Sequence, residues 1–488
     1  MKEEVKTPGT LYIRQAVNSF GGGLINPYVP IYAVQLGASA AELGWLRSLN
    51  NLFSNIMQIL WGITSDRVGR YVPFIVIGSA LSSLLWLPML FVTTTWQLIL
   101  IVAVQALSNS MVAPAWAALL GRILPKTERA TGTANVNAAA SLGTISATLI
   151  SGFLMQRVGG APAEMYRIPL LVAAVSGFGA SMTMLTLKEK NSRSESESRK
   201  WLNLEPLRRN KAFRRFTAIS LIQQFFMSMA WPLFSITIVN VTKSDMLQIA
   251  FISVMSPIVA FLIRRYAGRL SDRAGRKPLI VIGRTGMFLY PLFYAFSTTM
   301  THLLAAEILI GVVASISDIA IFAYLLDATA DEQRGASIAV YNTLIGFATF
   351  LGSILGGYFV GFFVVLGLDN ASALKGSYIV SSSGRLVSGL LFLLISERLV
   401  YHSTVREEFV SIVAEDVETA KYRIQKVDEL GERAEIGLMK DIEQFESEQS
   451  SVVDSEGEET EEGTKREEDN KDSKKKMNKS QVKKKEAT

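Results

Sequence analysis

Cysteine is absent from the 488 residues. That removes disulfides, thiol nucleophiles and cysteine-ligated metals. Histidine is nearly absent. With only His302 and His402, a histidine-rich metal site is excluded, and no metal or other cofactor is expected. No phosphate-binding loop or nucleophile elbow occurs, so neither enzyme chemistry nor nucleotide-driven pumping has a sequence feature behind it. The opening MKEEVKTPGT is too charged and too short for a cleavable signal, so the first apolar span is expected to serve as its own.

Apolar residues are what the chain has in excess. They make up 49% of it, and the mean hydropathy is +0.28. Apolar runs of about 18 residues or more, separated by short charged loops, recur through the first 400 residues, which describes a helical integral membrane protein. Twelve spans are expected, at about 10–35, 41–64, 71–93, 96–121, 130–156, 165–187, 213–240, 245–267, 277–299, 302–327, 335–366 and 377–398. With the N-terminus inside, the inner loops collect Arg67, Arg70, Arg122, Lys126, Arg129, Arg269, Arg273, Arg276 and Lys277, and the loop after span six is rich in Lys and Arg. The outer loops hold only Arg157, Arg167, Lys243 and Lys375. This bias puts both termini in the cytoplasm of a multi-pass protein, with the cell membrane the expected location.

The chain also repeats itself. GITSDRVGR begins at Gly62 and GRLSDRAGRK at Gly268, 206 residues later. PFIVIG at Pro73 returns as PLIVIG at Pro278, and Pro27 matches Pro232, both at an offset of 205. Spans one to six and seven to twelve therefore read as one unit written twice, a transporter architecture. The expected fold class is all-α: twelve transmembrane helices in two pseudo-symmetric six-helix bundles, with a C-terminal amphipathic helix and a disordered charged tail. The expected divisions are 1–187 for the first bundle, 188–211 for a cytoplasmic linker, 212–398 for the second bundle, 399–445 for the amphipathic region and 446–488 for the tail.

The duplicated string resembles a loop motif of the major facilitator superfamily, Gly-x-x-x-Asp-Arg-x-Gly-Arg-Arg/Lys, found between the second and third spans. Gly62, Asp66, Arg67, Gly69 and Arg70 fit it, with Tyr71 in place of the last basic residue. Gly268, Asp272, Arg273, Gly275, Arg276 and Lys277 fit throughout. The resemblance covers about residues 10 to 398. From the residues themselves, Gly62 and Gly268 would permit close helix approach, and Gly69 and Gly275 would turn the chain at positive φ. Each Asp, at a helix C-terminus, faces the wrong end of its own dipole and needs a partner. The resemblance implies that Asp66 meets the start of span eleven, at Arg334 and Gly335, and that Asp272 meets the start of span five, at Arg129 and Gly132. The knot would then be a latch on the cytoplasmic side. A plain topology anchor is the alternative.

The resemblance further implies a central cavity lined by spans one, four, seven and ten. Span one offers Asn18, Asn26, Tyr28 and Tyr32, and span four offers Gln105, Ser108, Asn109 and Ser110. Span seven offers Gln223, Gln224 and Trp231, and span ten offers Asp318 and Tyr324. Amides and ring hydroxyls suit neutral polar solutes; the neighbouring rings suit amphipathic ones; interhelical packing is the alternative role for each. Asp318 lies well inside its span, where a carboxylate is functional by default and a candidate proton carrier. Its alternative is a structural pair with Arg284 or Arg385. Arg47 and Glu307 are expected nearer the outer surface and Arg14 nearer the inner, as interfacial or paired charges. Gln223-Gln224 is similar to part of a sugar-porter signature whose remaining residues are missing, and the Gly-Pro of drug–proton antiporters is missing from span five. The glycines at 352, 356 and 357 read as close helix packing.

Beyond Glu397, apolar residues step by three and four from Val405 to Leu430, and charge blocks follow from about Glu446. This tail is open to self-association, lipid binding or another protein; no nucleic acid is expected. The expected function is a secondary active transporter, a symporter or antiporter for a small molecule, working by alternating access in the lipid bilayer, with proton coupling. The alternatives are a transporter-like sensor or scaffold signalling through the tail, or a facilitative uniporter.

Overall fold

The computed structural model describes residues 9–396, except 124–128, 188, 190–204 and 330–333, together with scattered positions between 411 and 425. Residues 1–409 form one compact unit and 410–488 another. The expected tail, most of the amphipathic region and most of the linker lie outside the described residues. All described elements are helical. In the first repeat they are α1 (Gly9–Ile25), α2 (Val29–Gln35), α3 (Ala40–Val68), α4 (Val72–Leu84), α5 (Thr95–Asn109), α6 (Val112–Ile123), α7 (Arg129–Val158), α8 (Pro162–Met165) and α9 (Arg167–Thr183). After the short α10 (Glu205–Arg209) come α11 (Lys211–Ile236), α12 (Met246–Ala274), α13 (Arg276–Gly286), α14 (Leu289–Phe296), α15 (Met300–Asp327), α16 (Arg334–Val365) and α17 (Asn370–Leu391).

The duplication is visible in the helix ends. α3 and α12 each have 29 residues and begin 206 positions apart. Both start in a reciprocal capping box, Ser39 with Glu42 and Asp245 with Gln248, also 206 apart. Both stop at a glycine with positive φ, Gly69 at 73° and Gly275 at 97°. A residue with a Cβ is strained there, so the glycine ends the helix and sends the chain into the next one.

Among the described residues, ten helical segments are long and apolar enough to cross a membrane. The difference from the expected twelve falls on the first two spans, where α1, α2 and α3 lie close to the expected boundaries. α1 is only 17 residues, because the chain turns at 26–28 before Pro30 starts α2. α3 is long, but Arg47, Asn50, Asn51 and Asn55 lower its hydropathy. The rim of the unit carries exposed large apolar side chains, among them Leu100, Leu142, Val175, Phe261, Phe322 and Phe362. Such a surface is matched to lipid rather than water.

The two repeats meet along two seams. On α3 and α16, a Cβ added to Gly44 would lie 2.8 Å from the Ser353 carbonyl oxygen, and one added to Gly357 would lie 3.0 Å from the Ala41 Cα. Ser48 donates to the Phe350 carbonyl at 2.8 Å, and Trp45 Nε1 donates to the Tyr358 hydroxyl at 3.3 Å. On α7 and α12, Gly152 is in tight contact with Met246 and Ala250, and the Met246 amide donates to Gln156 Oε1 at 3.1 Å. Gly352 and Gly356 press against Phe225 and Met229 on α11, which places the glycine-rich string of α16 in helix packing, as expected. These seams gather at the end of the bundle that holds the Ser39 and Asp245 caps. The end holding Gly69 and Gly275 carries the arginine-rich loops and is called the basic end below.

Candidate functional site: a polar cavity between charged ends

The first repeat lines a partly open cavity of about 320 Å³, within the usual range for small-molecule sites. α1 contributes Asn18 and the turn after it Asn26, α3 contributes Arg47, Asn50 and Ser54, and α5 contributes Gln105 and Asn109; Ser79, Ser82 and Ser83 of α4 complete the polar wall. No carboxylate is among its lining residues. Of the sequence-derived candidates, Asn18, Asn26, Gln105 and Asn109 are therefore brought together. Arg47, Asn50 and Ser54 were not singled out as ligands. Their spacing of three and four residues puts them on one helix face, and that signal was available in the sequence.

The side chains of Asn18, Asn26, Asn50 and Asn109 make no hydrogen bond among the described residues. Gln105 is satisfied, donating to the Ser82 carbonyl at 3.0 Å. Arg47 is exposed into the cavity and its guanidinium has neither hydrogen bond nor ion pair among the described residues. The Tyr290 phenol, on the other repeat, is close enough to interact with it electrostatically.

Other expected cavity residues are used for packing. Tyr28 donates to the Thr148 carbonyl at 2.7 Å. Tyr32 is buried, stacks on Tyr166 at 4.5 Å and reaches the Val92 carbonyl at 3.4 Å. Ser108 and Ser110 bond back to their own turns, at Val104 and Leu107. Tyr324 packs on Phe216 at 4.6 Å and donates to the Ser396 carbonyl at 2.9 Å. Gln223 is buried, donates to the Arg284 carbonyl at 3.1 Å and accepts from Ser388. Gln224 donates to Thr349 Oγ1 at 2.9 Å and shares with Gln223, Arg284 and Tyr341 a cleft of about 10 Å³, too small for a solute. Trp231 is half-buried on α11. Spans are amphipathic around their circumference, and the period alone does not say which polar side meets solvent and which meets a neighbouring helix.

Two intramembrane carboxylates differ sharply in surroundings. Asp318 pairs with Arg284 at 2.9 Å; the aspartate side chain is 64% exposed and the arginine 12%. Glu307 is 8% exposed and accepts from the Tyr290 and Tyr294 hydroxyls at 2.6 and 3.0 Å. Glu307 lies near the start of α15, where α14 folds its two phenols over the carboxylate. Arg14 is buried over the Trp116 ring at 4.5 Å, and Arg385 is buried on the Met227 and Met287 carbonyls at 2.7 and 3.3 Å.

At the basic end, the described bonds of the duplicated motif run within each repeat. The Tyr71 hydroxyl donates to Asp66 at 3.0 Å. Arg122 lies over the Tyr71 ring at 4.2 Å, donates to the Gly69 carbonyl at 3.3 Å and pairs with Glu189 at 3.5 Å. Glu189 in turn accepts from the Tyr71 and Val72 amides at 2.8 and 2.9 Å, capping α4. Burial first, and the bond to Asp66 next, raise the Tyr71 phenol above its ordinary value, so it stays a neutral donor. In the second repeat Arg276 pairs with Asp327 at 3.4 Å and bonds the Ser271 carbonyl. Residues 122 and 327 are 205 apart, so the two repeats place their partner at the same position. Tyr71, Arg122 and Glu189 were not read as parts of the motif from sequence. An added Cβ at Gly268 meets nothing within 4 Å, and one at Gly62 makes only an ordinary contact with Pro114. The side chains of Asp272, Arg129 and Arg334 lie outside the described residues. Arg67 and Arg70 are exposed.

Known proteins share this fold. An uncharacterized MFS-type transporter of Methanocaldococcus jannaschii is 23% identical over 70% of this chain and 85% of its own length. The multidrug resistance protein MdtG of Klebsiella pneumoniae is 26% identical over 53% of this chain and 64% of its own length. Among solved structures, the nucleoside transporter NupG superposes with a TM-score of 0.66 at 16% identity, covering 80% of this chain and 99% of that one. The human organic anion transporter MFSD10 gives 0.54 at 13%, covering 80% and 100%. The family model described as Major Facilitator Superfamily matches twice, over residues 11–224 and 216–422. Two tandem matches spanning both repeats, on a fold of this kind, place the chain in the Major Facilitator Superfamily of membrane transporters.

Proposed function

We propose that the chain is a secondary active transporter that carries a small polar solute across the cell membrane by alternating access, coupled to protons. The observation that carries this reading is the cavity: amides, hydroxyls and a guanidinium, largely without protein partners, inside a shell whose outer surface is apolar. In lipid, unsatisfied polar groups of this kind are tolerated only where they line a water-filled path. No covalent step is required of them.

The basic end faces the cytoplasm in this reading, by the positive-inside bias, and both termini lie there. The seams around Gly44 and Gly152 form the outer gate. The motif residues Asp66 to Arg70 and Asp272 to Arg276, with Arg129 and Arg334, act in the inner gate. Asp318 is the coupling group through its pair with Arg284: a proton on the carboxylate cancels the pair and frees the arginine, which the buried Gln223 and Tyr341 wall then reorients. The relatives and neighbours differ in what their names say, namely multidrug resistance, nucleoside transport and organic anion transport, so the family supports transport and leaves the cargo to the site.

The test is uptake into proteoliposomes with and without an inward proton gradient, comparing the native chain with Asp318→Asn. Gradient-driven uptake that the variant loses supports the reading. Uptake indifferent to the gradient in both makes the protein a uniporter and Asp318 a structural charge.

A further inference from the structure

The cavity has a charge as well as a shape. Arg47 sits one turn below Gly44, just beneath the seam that closes this end of the bundle. Asn50 and Ser54 follow on the same face, so the three side chains extend along about 10 Å of wall. Asn18 of α1, Asn26 of the turn that follows it and Asn109 of α5 line the same cavity. The wall thus offers one fixed cation and several amides and hydroxyls, with no carboxylate to balance the charge.

An arginine deep in a membrane protein normally has its charge answered inside the protein. Arg284 has Asp318, Arg385 has two carbonyls, and Arg14 has an indole face and Gln15. Arg47 has none of these among the described residues. The carboxylate nearest in kind, Glu307, is already held by Tyr290 and Tyr294 on the far repeat. Guanidinium is built to bind carboxylate or phosphate oxygens through paired N–H donors, and it is always charged. Surrounding amides supply both donors and acceptors for hydroxyl or amide groups on the same molecule.

Resting on the transporter reading above, we infer that the transported solute is a small hydrophilic organic anion whose carboxylate or phosphate binds Arg47, with its polar body against Asn18, Asn26, Asn50 and Asn109. The anion supplies the counter-charge that the protein withholds. A neutral solute leaves the guanidinium unanswered, and a cation is repelled by it, so Arg47 sets selectivity by charge.

The test needs no prior guess at the solute. A polar small-molecule extract of cells is split on an anion-exchange resin at pH 7 into retained and unretained fractions. Proteoliposomes of the native chain, Arg47→Gln and Arg47→Lys are exposed to each, and their contents are read by mass spectrometry against protein-free liposomes. The expected result is accumulation from the retained fraction, reduced by at least about tenfold in Arg47→Gln, as the loss of a charge-assisted bond pair requires. Arg47→Lys is expected to keep part of it, because the charge remains while the planar fork is lost. Accumulation only from the unretained fraction, or retained anions carried equally well by Arg47→Gln, overturns the anion assignment while leaving transport intact. No accumulation from either fraction means that the transporter reading itself fails, and the inference falls with it. If Arg47→Gln does not insert, thermal unfolding of the native chain decides: the retained fraction must raise the unfolding temperature, and a rise with the unretained fraction alone overturns the assignment.

Discussion

The seam at Gly44 makes a direct prediction about the conformational equilibrium. A Cβ at this position would lie 2.8 Å from the Ser353 carbonyl oxygen and 3.4 Å from Gly357 Cα and the Ile354 carbonyl oxygen. These are backbone atoms of α16, which cannot rotate aside as a side chain can. Gly44→Val therefore wedges α3 from α16. Overpacking of this kind costs about 1–3 kcal/mol. If the repeats separate at this end in the other state of the cycle, position 44 is released there and the cost falls on the closed state alone. The ratio of open to closed then rises about 5- to 150-fold. The absence of native cysteine supplies the assay. Ala250 is fully buried in the other seam, against Gly152, so Ala250→Cys would be the chain's only thiol and would report whether the whole end opens. Its labelling rate with an impermeant maleimide should rise by that factor when Gly44→Val is added, and by less with Gly44→Ala. An unchanged rate in a well-folded Gly44→Val protein would refute the reasoning, because it would mean that the α3–α16 and α7–α12 seams do not part together.

Three further outcomes are expected. Glu307→Leu leaves the buried Tyr294 phenol and the half-buried Tyr290 phenol without an acceptor and should lower stability in detergent by about 1–3 kcal/mol for the buried group, whereas Glu307→Gln keeps an acceptor and should cost much less; equal loss in the two variants would show that the hydroxyls are not bound as described. Glu189→Ala removes the carboxylate that caps α4 and pairs with Arg122, and should cost about 0.5–2 kcal/mol in thermal or denaturant unfolding, the range for a lost cap; a neutral effect would remove Glu189 from the motif. Asp369, exposed at the start of α17, has its carboxyl held below the usual range chiefly by the Ser372 hydroxyl, with the Ser372 and Ala371 amides adding to it. Its folded value is depressed, so the cap contributes fully above the ordinary aspartate range and is lost as pH falls through the depressed value; Asp369→Asn should flatten that acid limb of the stability curve, and an unaltered acid limb would count against the cap.

What the sequence settled by itself was whatever depends on neighbours along the chain. Hydropathy runs placed most helix ends within a few residues, because a span must be apolar over its whole length wherever it packs; they missed the polar first turns of α17, which starts at Asn370, and the charged end of α12, which runs to Ala274. The 205–206 offset disclosed the duplication, and Gly69 and Gly275 announced their turns, since positive φ is a property of the residue itself. The first two spans were legible as elements but fell short of the composition of a buried one, and that shortfall turned out to mark the wall of the cavity.

The tertiary structure decided which face of each helix meets which neighbour. Asn18, Asn26 and Asn109 open into the cavity, while Tyr32, Gln223 and Tyr324, equally polar on paper, are spent on main-chain carbonyls at Val92, Arg284 and Ser396. Glu307 became a buried acceptor only because α14 brings two tyrosines 13 and 17 residues away back over it. Arg47 stands out only once all its surroundings are known, since an unanswered charge is defined by what is missing around it in space. The 3.6-residue period fixes which side chains share a face, but the rotation of that face about the helix axis is set by packing between elements far apart in sequence.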